Sequence, residues 1–513
     1  MDLPLVERLA GPAREQGSVQ AAILCAYTYN LMSRAAEAEA IFACLDLAAL
    51  DEDQRCSVTT VRAANRLWPM ADPELSWMLI DDAWAQRPTT AMQQTLQAVR
   101  SMQLASAARP HEAITAAQAV PVDRLPAVAG LVAVWALVIA LGDTGAISRA
   151  TRIALRGYAR AATAPEATYP GVGLADHHVT ALLLAGQIRD AQDTAARTRT
   201  RCADMPGIAS TVATAICGLA ALGRGDLTAA RSEILSAKTV FVQLGEPSTL
   251  CYRFSIVTVE VLARLGDLHG AAAELAAMMR LRHPAFDYLE ADRLLATAWL
   301  TAARGAVSQA IAAARFAATY AHDHGQHARE VMCLQTATQF GDKRCARRLL
   351  ELTDIVEGPR ADAAATYAAG LAATDADTLC EASEKFAAMG DILAAADASA
   401  HAAMGYRNLG LRGSALTAAG RAQRLARDGG GARSPALRES TQPLPLTTRE
   451  REVIALVSQS LSNQQIADVL GISVRTVEGH LHRAGVRTGI RTRRELAALV
   501  SDGVSRWASA SGG

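Results

Sequence analysis

One pattern recurs through the first 428 residues and constrains the fold of this chain more than any other feature. An apolar stretch with helical spacing is followed by a Gly turn, often with Asp after the Gly, and then by an Ala-rich stretch. The turn glycines Gly186, Gly225, Gly266, Gly305 and Gly341 are spaced by 39, 41, 39 and 36 residues. A period of about 36–44 residues accommodates two helices and their turns, so it predicts an α-solenoid.

The residue composition also favours helices. Hydrophobic residues make up 50% of the chain but aromatic residues only 4%, and an interior built mainly from Ala and Leu suits closely packed helices. The repeating unit is similar to a tetratricopeptide repeat, although its period exceeds that family's length of about 34 residues and the aromatic pattern is missing. We therefore expect an all-α, tetratricopeptide-like solenoid over residues 1–428, with a concave surface of the kind that binds partners.

The sequence gives little support for secretion or for a membrane location. Nine scattered cysteines without a Cys-x-x-Cys pair are typical of reduced thiols in cytoplasmic helices. Asp2, Glu7 and Arg8 precede any apolar run, so we expect no signal peptide. Residues 125–142 lack a charge and approach the length of a membrane span. Their Ala and Val content, with Pro126 and Gly130, favours a buried solenoid helix over the membrane span that remains the alternative. We predict a cytoplasmic protein.

The helical pattern ends in a stretch rich in Gly and Pro. Residues 429–431 are three glycines, and Pro435, Pro443 and Pro445 follow within a polar segment. This composition predicts a linker or an extended strap over residues 429–443. We expect a second domain over residues 444–507 and a disordered tail over residues 508–513.

Each helix of the second domain begins with a capping signal. Residues 447–450 and 462–465 each have the pattern of a capping box, while Gly471 ends one helix and Ser473 caps the next. The third helix, over about residues 473–487, carries an apolar stripe at Val474, Val477, Leu481 and Ala484. A helix, a three-residue turn and a helix at this spacing are typical of the DNA-reading helix-turn-helix.

Positive charge is concentrated in the same domain. The net charge of the chain is zero, yet residues 471–494 hold six Arg and one Glu, a charge pattern that phosphates select. We predict that phosphates are contacted by Arg475, Thr476, Arg483 and Arg487, and by the helix that opens at Ser462 and Asn463. The remaining candidates for reading base edges in the major groove are Glu478, Gly479 and His482.

Four sequence blocks in this domain resemble the LuxR-type DNA-binding domain in order and spacing. They are Leu446-Thr447-x-Arg449-Glu450-x-Glu452-Val453, Leu461-Ser462-Asn463-x-x-Ile466-Ala467, Ile472-Ser473-x-x-Thr476-Val477-x-x-His480-Leu481 and Gly489-Ile490-x-x-Arg493-x-Glu495-Leu496. The resemblance implies a fourth helix over about residues 492–501 that assists dimerisation, and operators with inverted repeats. It also implies that Glu478, Gly479 and His482 stand where that family reads bases.

The chain departs from that pattern at three positions. The family usually has Gly where this chain has Ser460, a long or aromatic residue where it has Gly485, and Leu where it has Thr488. A Gly inside a helix costs about 1 kcal/mol relative to Ala. We therefore expect the end of the recognition helix to fray without DNA.

A looser resemblance extends upstream. Residues 430–437 and 61–68 are similar to segments of the large ATP-binding LuxR-type regulators. Those regulators bear a nucleotide-binding module, but none of Lys238, Lys343 and Lys385 follows a Gly and precedes Ser or Thr, as a phosphate-binding loop requires. We expect no nucleotide-binding site in this chain.

Other chemical sites have weak support in the sequence. His322, His324 and His327 are capable of metal binding, but their spacing indicates a polar turn between helices, and His177-His178 has the same interpretation. The chain has no Gly-x-Ser-x-Gly nucleophile elbow. We predict that the protein is not an enzyme and has no metal or other cofactor.

Taken together, these patterns predict a bacterial transcription regulator that binds double-stranded DNA as a homodimer. Its solenoid would bind a protein or small-molecule effector. Three alternatives stay open: a solenoid that acts mainly by binding another regulator, a solenoid that only spaces or dimerises the DNA-binding domain, and a remnant of a larger regulator.

Overall fold

The computed structural model describes residues 3–32, 34–205, 208–243, 249–441, 446–488, 492–494 and 496–497. Within these ranges all regular secondary structure is helical, which confirms the predicted all-α class. The predicted tail over residues 508–513 and most of the predicted fourth helix lie outside the described residues.

The solenoid consists of consecutive antiparallel helices. Its first part contains α1 (Leu3–Glu15), α2 (Val19–Leu31), α3 (Ala35–Ala43), α4 (Glu52–Leu67), α5 (Pro73–Ala85), α6 (Thr90–Ser106), α7 (Pro110–Gln118), α8 (Ala127–Thr144), α9 (Ile147–Thr163), α10 (Thr168–Ala185), α11 (Ile188–Cys202) and α12 (Ile208–Arg224). Its second part contains α13 (Leu227–Gln243), α14 (Thr249–Leu265), α15 (Leu268–Arg280), α16 (Glu290–Ala303), α17 (Val307–Asp323), α18 (His327–Gln339), α19 (Ala346–Leu352), α20 (Pro359–Ala373), α21 (Ala376–Met389), α22 (Ile392–Asn408) and α23 (Arg412–Asp428). Short 3-10 helices are found at Leu47–Ala49, Val122–Arg124, Pro165–Ala167 and Pro284–Leu289.

Neighbouring helices pack in pairs, and every second helix also contacts the next but one. Along α10, α12, α14 and α16 this second set of contacts forms one continuous inner wall. Alanines fill much of the core and let the helices approach closely, as the composition predicts. The five turn glycines all have positive φ, between 82° and 100°, which confirms the left-handed turns that define the repeat.

Helix α8 contains most of the uncharged segment that resembled a membrane span. Among the described helices it is the one long and apolar enough to cross a membrane, and 67% of its residues are buried inside the solenoid. Leu131, Val138 and Leu141 are fully inaccessible. The packing therefore explains its hydrophobicity as that of a core helix.

The Gly/Pro-rich segment after α23 differs from an extended linker. Residues 429–441, here called the strap, run along the solenoid and include α24 (Pro435–Thr441). The oxygen of Ser434 accepts from the amide of Leu437 at 3.1 Å, and Pro435 occupies the first helical position, where its missing N–H costs nothing. Pro435, which in the sequence predicts an interruption of the helical pattern, begins a short helix in the structure.

The strap is fixed to the solenoid by backbone and side-chain hydrogen bonds. The amide of Arg433 donates to the carbonyl of Arg264 at 2.7 Å, and the hydroxyl of Ser434 donates to buried Asp397. Ala436 and Leu437 are buried against α22 and α23. The strap therefore places the start of the C-terminal domain against the solenoid.

The C-terminal domain contains α25 (Thr448–Ser458), α26 (Asn463–Leu470) and α27 (Val474–Thr488). Both predicted capping boxes are confirmed, with Thr447 paired to Glu450 and Ser462 paired to Gln465. Gly471 ends α26 with a left-handed backbone, φ 63°, as predicted.

Candidate nucleic-acid interface

The apolar stripe of α27 faces the core of its domain. Val477 and Ala484 are inaccessible to solvent, and Val477 packs in a cluster with Val453 and Ile466. This packing fixes the rotation of the helix about its own axis. The opposite face of α27 must therefore point to solvent.

The exposed face of α27 carries the predicted base-reading residues. Arg475, Glu478, Gly479 and His482 follow one another at spacings of three or four residues and so share one side of the helix. Arg475, Glu478 and His482 are exposed, and none of them has a hydrogen bond or ion pair with the described residues. Their polar groups are available to an external partner.

Nothing in the described structure requires a glycine at position 479. A Cβ atom at this position would come no closer than 3.4 Å to another atom, and the atom it would meet is the flexible end of Arg483. The backbone is helical, so a positive φ is not the reason for a glycine here. The missing side chain opens the surface of the helix at the centre of the exposed face.

Two predicted phosphate ligands are already held by a carboxylate. Arg487 donates from Nη1 to Glu450 Oε2 at 2.9 Å, and Arg483 Nε lies 3.8 Å from Glu450 Oε1. The Glu450 side chain is 1% exposed, whereas 53% of Arg483 and 43% of Arg487 remain exposed. These two arginines thus anchor α27 to α25 and still present donors to solvent. The sequence indicated only a capping role for Glu450.

The start of α26 presents the remaining predicted phosphate ligands. The Ser462 hydroxyl accepts from the backbone N–H of Gln465, and the Gln465 side chain accepts from the backbone N–H of Ser462. Asn463 Oδ1 accepts from Arg493 Nη1 at 2.5 Å, and Arg493 also donates to the carbonyl of Leu461 at 2.5 Å. Arg493, which is exposed, adds positive charge to this helix start, a role that the sequence did not assign to it.

Thr476 lies in the first turn of α27, where its hydroxyl contacts the Ser473 hydroxyl at 2.7 Å. His480, which the LuxR-type pattern contains, is half-buried and lies 3.0 Å from Arg483 Nη2 through Nδ1. Burial and the charges of Arg483 and Arg449 lower the pKa of His480. These surroundings favour the neutral form of its ring.

One departure from the LuxR-type pattern has a visible structural cost. Ser460, at a position where the pattern has Gly, adopts φ 65° in the turn between α25 and α26. A non-glycine residue with this backbone carries a strain of about 1–3 kcal/mol. The turn keeps its glycine-like conformation although the glycine is absent.

The domain docks on the solenoid through a face that excludes the exposed side of α27. Glu452 is 1% exposed at its side chain, and its carboxylate accepts from both the amide and, at 2.8 Å, the hydroxyl of Ser308. Gln309 donates to the carbonyl of Val469. Glu439 of the strap also pairs with Arg451, at 2.7 Å.

The histidine groups have ordinary structural partners. His322 lies 3.4 Å from Glu330 and 3.1 Å from Arg348, and His324 contacts the carbonyl of Tyr320 at 2.8 Å. Burial lowers the pKa of both His177 and His178 to about 4. The described part of the chain holds no group of three or more His, Cys, Asp or Glu side chains able to bind a metal ion.

Residues 444–500 match the family described as bacterial regulatory proteins, luxR family. The C-terminal domain belongs to that family. The match includes the capping boxes, the Gly471 turn and the exposed face of α27 described above. It covers this domain and leaves the solenoid outside it.

Three curated relatives share the luxR-family domain. The chain is 45% identical over 60 residues to response regulator Rre1 of Synechocystis sp., an alignment covering 11% of this chain and 26% of the relative. It is 46% identical over 50 residues to the C4-dicarboxylate transport transcriptional regulatory protein DctR of Rhodobacter capsulatus (10% and 25%). The monoamine regulon transcriptional regulator of Klebsiella aerogenes is 38% identical over 60 residues (12% and 26%). The chain spans about a quarter of the length of these relatives.

Solved structures match this chain at low scores. A crystal structure of Rap protein complexed with Competence and Sporulation Factor has a TM-score of 0.41 at 11% identity, covering 80% of this chain and 98% of that chain. The apo form of RapI has a TM-score of 0.37 at 11% identity, covering 66% and 99%. Similarity at this level carries no information about ligands or partners.

Proposed function

We propose that the protein is a sequence-specific, DNA-binding transcription regulator whose helix α27 enters the major groove. The exposed, unpaired set of Arg475, Glu478 and His482 on a luxR-family helix carries this proposal. Glu478 accepts hydrogen bonds and so suits a cytosine N4 donor, and Gly479 admits a base edge closely. We place the DNA-binding domain at residues 444–507 and the protein in the cytoplasm.

The phosphate contacts follow from the same geometry. Arg475 is free to bind a phosphate directly, while Arg483 and Arg487 bind with donors that Glu450 does not use. The start of α26 offers the backbone N–H of Asn463 and the hydroxyl of Ser462 to a phosphate, and Thr476 adds a second hydroxyl. Binding as a homodimer to an inverted repeat completes the proposal.

A mobility-shift titration over a range of salt concentrations, with DNA from around the gene of this protein, tests the proposal. Arg475→Ala should weaken binding and reduce the slope of log affinity against log salt by about 1, because one phosphate contact is lost. Arg347→Ala is the matched control, since Arg347 is 93% exposed on the solenoid and should leave both quantities unchanged. An unchanged slope for Arg475→Ala would show that α27 does not face the DNA.

A second function for the solenoid is favoured by a polar cleft among its helices. Arg253, Glu260 and Asp292 line this cleft, among apolar side chains. Side chains of this kind bind ligands in preformed pockets. The solenoid would then hold an effector that controls DNA binding, rather than act only as a spacer.

A further inference from the structure

A cleft lined by both charged and apolar side chains lies among the helices of the solenoid. Its lining comes from α10, α12, α14, α16 and α18 and from the residues Arg360 and Asp391. Apolar walls come from Leu183, Leu219, Leu222, Ile256 and Leu295.

Two buried arginines in the cleft keep unused donors. Arg253 is 4% exposed and donates from Nε and Nη2 to Asp176 at 3.2 and 3.1 Å and from Nη2 to Thr180 at 2.9 Å, but its Nη1 has no hydrogen bond within the described chain. Arg360 is 1% exposed and donates to Leu183, Gln335 and Asp391 from Nε and Nη1, while its Nη2 has no hydrogen bond there. These donors suit an anionic ligand group, because a guanidinium has five N–H donors to satisfy.

Two carboxylates in the same cleft keep unused acceptors. Glu260 Oε1 accepts from Arg264 Nη1 at 2.9 Å, while Oε2 accepts no hydrogen bond from a described residue. Asp292 accepts from Arg329 through one oxygen only. Burial raises the pKa of Glu260, and the charge of Asp292 raises it further. A cationic ligand group between these carboxylates would relieve their repulsion.

The spacing of the two signs of charge sets the length of the ligand. Arg253 and Glu260 lie seven residues apart on one face of α14, a separation of about 10.5 Å along the axis. An extended peptide spans about 3.3–3.6 Å per residue, so three residues bridge this distance. Ile256 and Val257 lie between the charges, and Gln335 faces the same cleft with amide donors that have no partner among the described residues.

We propose that this cleft binds a linear peptide of about three residues with free ends, its ammonium at Glu260 and its carboxylate at Arg253. The cleft also touches the strap that carries the DNA-binding domain. Arg264 accepts from the amide of Arg433 at 2.7 Å. Gln339, which lines the cleft, donates at 2.7 Å to Asp397, and Asp397 accepts from Ser434. A bound peptide therefore acts on DNA binding through the strap, a step that rests on the proposed function.

Calorimetric titration of the full-length protein tests the ligand class without DNA. Trialanine and trileucine serve as probes because one has small and the other large side chains. Each is compared with its N-acetylated form, its C-terminal amide and the single amino acid. We expect a free tripeptide to bind roughly tenfold or more tightly than its blocked forms, since each block removes a charged hydrogen bond. Absence of binding by both tripeptides, or equal binding of free and blocked forms, would overturn the proposal.

A variant locates the ammonium. Glu260→Gln should remove the preference for the free amino terminus and leave the binding of the acetylated peptide unchanged. Glu233→Gln, at a carboxylate paired with Arg199 outside the cleft, should keep the preference. A preference that survives in Glu260→Gln places the ammonium elsewhere and contradicts the assignment. The peptide comparisons in the unaltered protein stand even if a variant fails to fold.

Coupling to DNA is tested separately. Ser434→Ala should bind the peptide as the unaltered protein does, yet lose the effect of the peptide on the mobility shift. If the peptide binds but changes DNA affinity equally in both proteins, the strap is not the route. If the peptide binds and the protein shifts no DNA, the proposed function fails while the ligand site stands.

Discussion

Gly479 shows how one residue of the recognition helix is set by an external partner rather than by the fold. Its Cβ position is open and its backbone is helical, so Ala would suit the free protein better by about 1 kcal/mol. Glu478 and His482 flank it on the same exposed face. A missing side chain between two polar ones suits a surface that approaches a base edge closely.

Gly479→Ala should therefore stabilise the free protein and weaken DNA binding. We expect the free energy of unfolding to rise by about 1 kcal/mol, because helix propensity improves. Affinity for the operator should fall roughly tenfold, since a good base contact is worth about 1–3 kcal/mol. Urea unfolding and mobility shifts measure the two effects.

Gly420→Ala supplies the control for this prediction. Gly420 also lies within a helix of the solenoid, and its Cβ would meet only the end of an arginine, at 3.6 Å. It should gain similar stability with unchanged DNA affinity. If Gly479→Ala binds DNA as tightly as Gly420→Ala does, Gly479 does not contribute to base recognition.

Helix α17 shows that the cap of a helix can come from another domain. Its N-cap residue, Ala306, has no side chain able to accept a hydrogen bond, and the carboxylate of Glu452 accepts from Ser308 instead. The same arrangement occurs within the solenoid, where Glu357 accepts from the amide of Ser148 at 2.8 Å in the first turn of α9. Capping of α17 thus also holds the DNA-binding domain in place.

Glu452→Ala should loosen both the first turn of α17 and the docked domain. Removing a cap costs about 1 kcal/mol, so hydrogen exchange at the Ser308 amide should become several-fold faster. Glu357→Ala should accelerate exchange at Ser148 and leave Ser308 and DNA binding as they were. Unchanged protection of Ser308 in Glu452→Ala would show that this carboxylate is not the cap.

The structure of the strap is predicted only in part by its local sequence. Its glycines and prolines predict a break in the solenoid, and α23 does end at Asp428. Pro435 nevertheless starts a helix, and Asp397, whose pKa burial raises to about 6, receives the Ser434 hydroxyl. The partner lies 37 residues away in sequence, so no local pattern could reveal it.

At the scale of the whole molecule, the exposed face of α27 stays open to solvent while the DNA-binding domain is docked on the solenoid. Docking uses Glu452 on α25 and the carbonyl of Val469 on α26, whereas Arg475, Glu478 and His482 on α27 point to solvent. The docked arrangement is therefore compatible with DNA binding. Control by the solenoid would change the position of the DNA-binding domain and would not cover the exposed face of α27.

A disulfide that locks the docked domain tests this compatibility. A Cβ built on Gly305 lies 3.6 Å from the Cβ of Ala455, within the range of about 3.5–4.5 Å that a disulfide requires. Gly305→Cys with Ala455→Cys, in a Cys44→Ser background that removes the exposed thiol, should cross-link on oxidation. The positive φ of Gly305 adds a strain of about 1–3 kcal/mol.

The cross-linked protein should bind DNA about as tightly as its reduced form does. Mobility shifts before and after reduction of the same sample measure the two affinities. Loss of DNA binding on oxidation, with recovery on reduction, would show that the docked arrangement excludes DNA.

The sequence by itself determined the features that depend on neighbouring residues: the helical class, the Gly turns of the repeat, both capping boxes and the buried stripe of α27. These follow from backbone preferences and from a spacing of three or four residues, which act over one or two helical turns. Contacts between distant residues were decided only by the tertiary structure. Arg487 is paired with Glu450, Glu452 caps α17, and the cleft joins side chains from α10 to α18. Such pairs depend on how helices pack across more than 30 residues of chain, and packing of that range leaves no periodic signal in a single sequence.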